Sequence, residues 1–226
     1  MCATRSIETD DARPVLTGVL IEMSGDSMTL AAADGFRLSV RTAQLAEKVS
    51  GTTRAIIPAR ALAELGRILS DGEETVTMTL PPNRGQVIFR SKNVELVSQL
   101  IDGTFPDYRS IIPTSYATRS VLSTSSFLKA CKAADIFARE AAHSARLHIA
   151  PGTQLEPGKV EITATAAETG SNETMVDATV DGSAIDIAFN VRFLVDVLNV
   201  IDTPNVALET NSTSSPGVIK PVGRED

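Results

Sequence analysis

The sequence predicts an α+β protein made of two units of one plan, and three observations carry that prediction. The first is compositional. At 226 residues, with 42% hydrophobic, 22% charged and only 4% aromatic residues and no Trp, the chain is long enough for two ordinary domains with aliphatic cores. Frequent Val, Ile, Thr and Ala favour strands with a few Ala-rich helices. The second is an internal repeat. Ile56-Ile57-Pro58 running into A-R-A-L-A-E-L-G-R-I-L corresponds to Ala188-Phe189-Asn190 running into V-R-F-L-V-D-V-L-N-V-I. The strands that follow, Thr75–Leu80 and Asn205–Thr210, keep the same offset of about 130 residues, too long for a solenoid and right for a duplicated domain. The third is the stretch between the copies, Gln99 to Pro113 (Q-L-I-D-G-T-F-P-D-Y-R-S-I-I-P). Gly103 makes a turn, Pro106 forces Phe105 into extended backbone, and Pro113 closes off Ile111-Ile112. Apolar residues and an aromatic in a proline-bounded connector suggest a linker pinned to a surface, with an ordinary inter-domain linker as the equal alternative. The expected units are 1–113 and 114–226, each a set of antiparallel strands with helices gathered on one side.

Taken in order, residues 1–13 are polar, and Ile7-Glu8-Thr9-Asp10-Asp11 reads as the tail of a helix. Val15–Met23 is a strand, Ser24-Gly25-Asp26-Ser27 a tight turn and Met28–Ala33 the returning strand. Asp34-Gly35 is the next turn, Phe36–Val40 a third strand and Thr53–Ile57 a fourth. Pro58 opens a helix over Ala59–Leu69, whose Leu62, Leu65 and Leu69 form one apolar stripe. Strands follow at Thr75–Leu80, Gln86–Arg90 and Val94–Leu100. In the second unit a strand at Arg119–Ser123 leads into a helix from Ser125 to about Ala142, with Phe127, Leu128, Cys131, Ala134 and Ile136 among its apolar positions. Strands are expected at Arg146–Ala150, Val160–Ala166, Glu173–Val180 and Ala184–Phe189. Asn190 caps a helix over Val191–Ile201, and Val206–Thr210 and Val218–Val222 are the last strands.

A net charge of −7 argues against a tight, general nucleic-acid binder, though not against cations gathered on one face. Cys2 and Cys131 are unlike in setting and predict no structural disulfide, hence a reducing compartment. With no signal peptide and no apolar run long enough to span a bilayer, the expectation is a cytoplasmic protein with no membrane attachment. His143 and His148 lie near one helix end without a Cys or carboxylate at ligand spacing, so no metal site is expected. No G-x-S-x-G, phosphate-cradling glycine loop or paired-carboxylate signature suggests catalysis or a cofactor. Two other classes stay open. One is a small-ligand or carbohydrate-binding β protein, for which seven Phe and two Tyr are few. The other is an enzyme using Asp34, Arg37 and Asp107.

The connector also carries a resemblance. L-I-D-G-T-F-P-D-Y-R-S-I-I-P resembles the L-[IV]-[ED]-G-x-[FY]-P-[DN]-Y-x-x-[VI]-[IL]-P junction of the bacterial DNA polymerase III beta subunit, the sliding clamp family. R-P-V-L-T-G-V-L-I-E, A-A-A-D-G-F-R-L-S-V, I-I-P-A-R-A-L-A-E-L, F-N-V-R-F-L-V-D-V-L and S-S-P-G-V-I-K-P are similar to further stretches of the same family. The resemblance implies two DNA-clamp domains: residues 1–113 as domain two, N-terminally truncated, and residues 114–226 as domain three without its last strand and apolar tail. Ala33 and Phe36 stand where the family usually has Thr and His, and Ser110 where it commonly has a basic residue.

From the same resemblance follows a processivity factor of DNA replication, a ring that encircles duplex DNA without reading sequence. It implies an apolar cleft for partner peptides of the replicative polymerase, the clamp loader and other clamp-binding proteins. Carried over by position, the cleft comprises Leu16, Ala33, Gly35, Phe36, Arg37, Leu38, Pro106, Ser110 and Ile111, with Arg37 reaching a peptide backbone or carboxylate. The plainer alternative makes Leu16, Leu38 and Ile111 core residues. The DNA-facing helices carry Arg60, Arg67, Lys129, Lys132 and Arg139, which would touch phosphates without reading bases. For any one of them a solvated helix face is the alternative. The acidic remainder, including Glu8, Asp10, Asp11 and Glu73-Glu74, would face outward. The family's ring closes head to tail as a homodimer, and the matching pair here is Ile136-Phe137. Neighbouring helical positions are about 100° apart, so one of the two is expected at the surface or at an edge, the equal alternative being that both reach the core at the edges of the apolar stripe. Lacking a first domain, this chain is expected to be a monomer. The family is not an enzyme and implies no cofactor or metal.

Overall fold

The structure, a computed structural model, describes residues 13–69, 75–82, 85–166 and 170–224. The chain divides into two compact units with the boundary between Ser110 and Ile111, just ahead of the one expected after Pro113.

In unit 1, Pro14 occupies the first position of a short 3-10 turn, Pro14–Thr17, where its fixed φ and missing N–H cost nothing. The strand expected from Val15 therefore starts only at Gly18. Strand β1 (Gly18–Ala33) pairs antiparallel with β2 (Leu38–Pro58), from Gly18 opposite Pro58 to Ala33 opposite Leu38. The register breaks on both sides of Gly25, whose φ is +60°. Val19 and Ala32 nevertheless share one apolar cluster with Ala59. In a straight strand they would lie about 43 Å apart. The chain therefore doubles back at Ser24–Ser27, as the turn residues there predict. The long stretch after Val40, to which the sequence lent no element, is strand throughout, because residues 39–44 continue the ladder with 27–32. Phe36 and Arg37, expected to open a strand, lie instead in the turn before β2.

Helix α1 (Ala59–Ile68) follows β2 directly. Its Leu62 and Leu65 pack on a core of Ile21, Ala55, Ile57, Val87 and Phe89, the last two from the three-stranded sheet of β3 (Thr77–Thr79), β4 (Gln86–Ser91) and β5 (Val94–Gln99).

Unit 2 is one seven-stranded antiparallel sheet with two helices. Its strands are β6 (Thr118–Ser123), β7 (Ser144–Ala150), β8 (Gly158–Ala166), β9 (Gly170–Gly182), β10 (Ile185–Asn190), β11 (Asn205–Thr210) and β12 (Val218–Pro221), in spatial order β10-β7-β8-β9-β6-β11-β12. Helix α2 (Thr124–Ala138) buries Phe127, Ala130, Cys131, Ala134 and Ala138, a stripe at helical spacing whose alanines allow close approach to the sheet. Burial pushes the Cys131 thiol up to about 12, so it is an unreactive core residue. The helix ends earlier than expected. A 3-10 turn at Arg139–Ala141 leads to Ala142 and His143, both left-handed at φ +52° and +60°. Helix α3 (Val191–Leu198) begins as predicted, with the Asn190 side chain accepting from the Arg192 N–H at 3.0 Å. It stops short of the expected Ile201, where Asn199 Nδ2 donates to the Val195 carbonyl at 2.8 Å and closes the last turn. Among the described residues no helix is long and apolar enough to cross a membrane. Cys2, the expected Ile7–Asp11 helix tail and the outward acids Glu8, Asp10, Asp11, Glu73 and Glu74 lie outside the described residues.

Candidate partner-binding and DNA-facing surfaces

Five of the nine expected peptide-cleft residues sit on one hairpin tip. Ala33 ends β1, Leu38 opens β2 opposite it, and Gly35, Phe36 and Arg37 make the turn. Asp34 builds that turn: its Oδ1 accepts the N–H groups of Phe36 and Arg37 at 3.1 Å each, and its Oδ2 accepts Arg37 Nε at 2.8 Å. Gly35 supplies the left-handed corner at φ +87°. The result is a braced turn that holds Phe36 out into solvent, 87% exposed. A phenyl ring at that exposure contributes little to the core of unit 1.

Two glycines show what lies around the Pro14–Thr17 turn. A side chain at Gly35 would meet the Arg13 guanidinium at 3.8 Å, and one at Gly103 would meet Val15 Cγ1 at 2.6 Å. Arg13, just ahead of the Pro14–Thr17 turn, thus reaches the hairpin tip with its side chain, and Val15 within the turn lies against the connector at Gly103. Leu16 is buried, Leu38 half-buried, and Ile111 is 59% exposed, so of the three residues with a core alternative only Leu16 fits it. Pro106 and Ser110 are exposed, and Ser110 Oγ donates to the Asp107 carbonyl at 2.8 Å. Asp34 and Arg37 are engaged with each other, and Asp107 Oδ1 accepts the Arg109 N–H at 3.3 Å, so the carboxylates considered for catalysis serve local turns.

The anchor of the connector was not foreseen. Glu22 is buried on β1 and receives three donors: Arg54 Nε from the facing position of β2 at 2.6 Å, the Tyr108 hydroxyl at 2.9 Å, and Arg109 Nη2. The Arg109 guanidinium also lies 4.8 Å from the Tyr108 ring centroid. Burial pushes the Glu22 carboxyl up, but Arg109, Tyr108 and Arg54 together outweigh it and hold its pKa below the usual carboxylate value. Burial first, and then the bond to Glu22, keep the Tyr108 hydroxyl protonated above its ordinary range. Of the two readings its composition left open, the connector is the pinned one, and it is pinned through a charge. A glutamate closing the apolar run Val19-Leu20-Ile21 was the signal available in the sequence.

Four of the five expected DNA-facing cations are on helix surfaces, and the fifth, Arg139, opens the 3-10 turn after α2. Arg60 and Arg67 are exposed on α1, with Arg67 Nη2 donating to Glu64 at 2.7 Å; Lys129 and Lys132 are exposed on α2, and Arg139 just after it. Ile136 is 57% exposed, while Phe137 packs on the core of unit 2, the first of the two expected arrangements. Both histidines acquire carboxylate partners that sequence spacing does not suggest: His143 Nδ1 lies 2.7 Å from Asp135 and His148 Nδ1 3.2 Å from Asp186. Among the described residues no group of three His, Cys, Asp or Glu could hold a metal ion. An open concavity of about 460 Å³ in unit 2, lined by Ser123, Thr124, Leu128, Leu198, Asn199 and Thr203 among others, contains none of the expected site residues.

Two α+β units of antiparallel strands, the first with helix α1 and the second with α2 and α3, and the second repeating the strand–helix–strand order of the first, define a duplicated protein of the DNA-clamp class. Residues 3–107 match the central domain of the DNA polymerase III beta subunit, and residues 109–226 its C-terminal domain. The chain belongs to the DNA polymerase III beta subunit family. It is 35% identical over 219 residues to the beta sliding clamp of Staphylococcus aureus, which covers 96% of this chain and 56% of that protein. Among solved structures, the sliding clamp of Bacillus subtilis is 28% identical with a TM-score of 0.89, over 99% of this chain and 57% of that one. The clamp of Pseudomonas aeruginosa with ligand is 25% identical with a TM-score of 0.89, over 100% of this chain and 59% of that one. The chain thus spans little more than half the length of these relatives.

Proposed function

We propose that this chain supplies the partner-docking and DNA-facing parts of a sliding clamp, a cytoplasmic processivity factor that does no chemistry of its own. Partner peptides dock on Leu16, Ala33, Gly35, Phe36, Arg37, Leu38, Pro106, Ser110 and Ile111. The exposed cations Arg60, Arg67, Lys129, Lys132 and Arg139 meet phosphates of duplex DNA without reading its bases. In a complete clamp, a head-to-tail homodimer ring with Ile136-Phe137 at the subunit joint would tether the polymerase and be opened by a clamp loader. The observation that carries the docking reading is the Asp34-braced turn, which holds Phe36 87% exposed beside Arg37. A phenyl ring beside half-buried aliphatic side chains suits a Leu/Phe-bearing peptide, and Arg37 suits its backbone carbonyls.

Titrating an isotope-labelled chain with a Gln-Leu-x-Leu-Phe peptide tests this. Gly35, Phe36, Leu38 and Ile111 should shift together. Shifts confined to β11 and β12 would place the peptide elsewhere and overturn the docking reading.

A further inference from the structure

We propose that Arg192 is a phosphate-contacting residue of unit 2, the counterpart of Arg60 in unit 1, and that His143 and Asp135 position it. This rests on the DNA-facing reading above and adds a residue and a device to it. The internal repeat sets the two arginines at one place: Pro58-Ala59-Arg60 and Asn190-Val191-Arg192 each run from the N-cap to the second residue of a helix. Both arginines are exposed, so neither fills a core.

Unlike Arg60, Arg192 has a built support. Its Nη1 lies 3.5 Å from His143 Nε2, and His143 Nδ1 lies 2.7 Å from Asp135 Oδ1. A guanidinium nitrogen can only donate, so Nε2 faces it as the acceptor and the ring proton sits on Nδ1, donated to Asp135. The backbone is arranged to the same end. Ala142 and His143 are consecutive left-handed residues, a costly conformation for side chains with a Cβ. They are held by the Val191 N–H donating to the His143 carbonyl at 2.8 Å, Asn190 Nδ2 donating to the Ala142 carbonyl at 3.2 Å, and the His143 N–H donating to the Ala138 carbonyl at 2.8 Å. These bonds tie the turn after α2 to the first turn of α3 and set the imidazole against Arg192.

An arginine already restrained loses less rotamer freedom on meeting a phosphate than a free one does. The surrounding charge is mixed. Lys129, Lys132 and Arg139 are exposed along α2 and its end, against Asp135, Glu140 and, on α3, Asp196.

The test is the salt dependence of this chain's affinity for a random-sequence duplex at low ionic strength. Arg192→Gln should flatten the slope of log K against log salt by about 0.9, as Arg60→Gln should, and Arg192→Lys should restore it. His143→Ala should leave the slope alone and weaken binding about threefold or more, because the arginine is present but no longer held. If Arg60→Gln flattens the slope and Arg192→Gln does not, Arg192 is not a phosphate contact, and the DNA-facing reading stands without it. If neither Arg60→Gln nor Lys132→Gln changes the slope, that reading fails and takes this inference with it. Unchanged affinity in His143→Ala overturns the positioning role.

Discussion

Glu22 shows how one residue can hold a segment far from it in sequence. Its carboxylate is buried and satisfied by Arg54, Tyr108 and Arg109, so removing it leaves a buried hydroxyl and two guanidinium groups without their common acceptor. Glu22→Ala should therefore cost about 2 kcal/mol of stability by urea unfolding at pH 7. The pH dependence has a definite sign. The folded pKa lies below the unfolded value of about 4.5, so the contribution is fully present above that value and is lost as pH falls through the folded one. The stability gap between wild type and Glu22→Ala should close on acidification below about pH 4.5 and stay constant between pH 6 and 8. Phe36 is the contrasting case. Its ring is exposed, so Phe36→Ala should change stability by no more than about 0.5 kcal/mol while weakening peptide binding several-fold, measured by calorimetry.

The elements differ in how far the sequence specified them. Helices α1, α2 and α3 were legible because their apolar stripes recur at helical spacing and Pro58 and Asn190 mark two of the starts. The strands of unit 2 were legible because short apolar runs alternate with turn residues. The end of α2 was not, since Arg139-Glu140-Ala141-Ala142 are good helix formers and the stop comes from bonds to α3 made across the fold. The strand over residues 41–52 was not either, because its polar, half-exposed residues gain strand character only by pairing. At the hairpin tip, Asp34-Gly35 announced a turn, but the grouping of Ala33, Gly35, Phe36, Arg37 and Leu38 as a site came from family resemblance. The Ile136-Phe137 pair came from family resemblance, and helical geometry left open whether one or neither of the two would be exposed. Ile136→Ser should leave stability within about 0.5 kcal/mol of wild type, whereas Phe137→Ser should cost about 2 kcal/mol, both by urea unfolding.

For the whole molecule, a net charge of −7 sets the terms on which it can meet DNA. With that charge, the proposed contact would rest on a few exposed cations, and at least one of these, Arg67, is partly neutralised by Glu64. Phosphate contacts of this kind carry no sequence information and weaken steeply with salt. The central claim, a surface that holds duplex DNA without reading it, is tested most directly by the affinity of this chain for two duplexes of unrelated sequence across a salt series. Equal, weak binding to both that disappears as salt reaches physiological strength is the predicted result. Retention of one sequence over the other at that salt would contradict it.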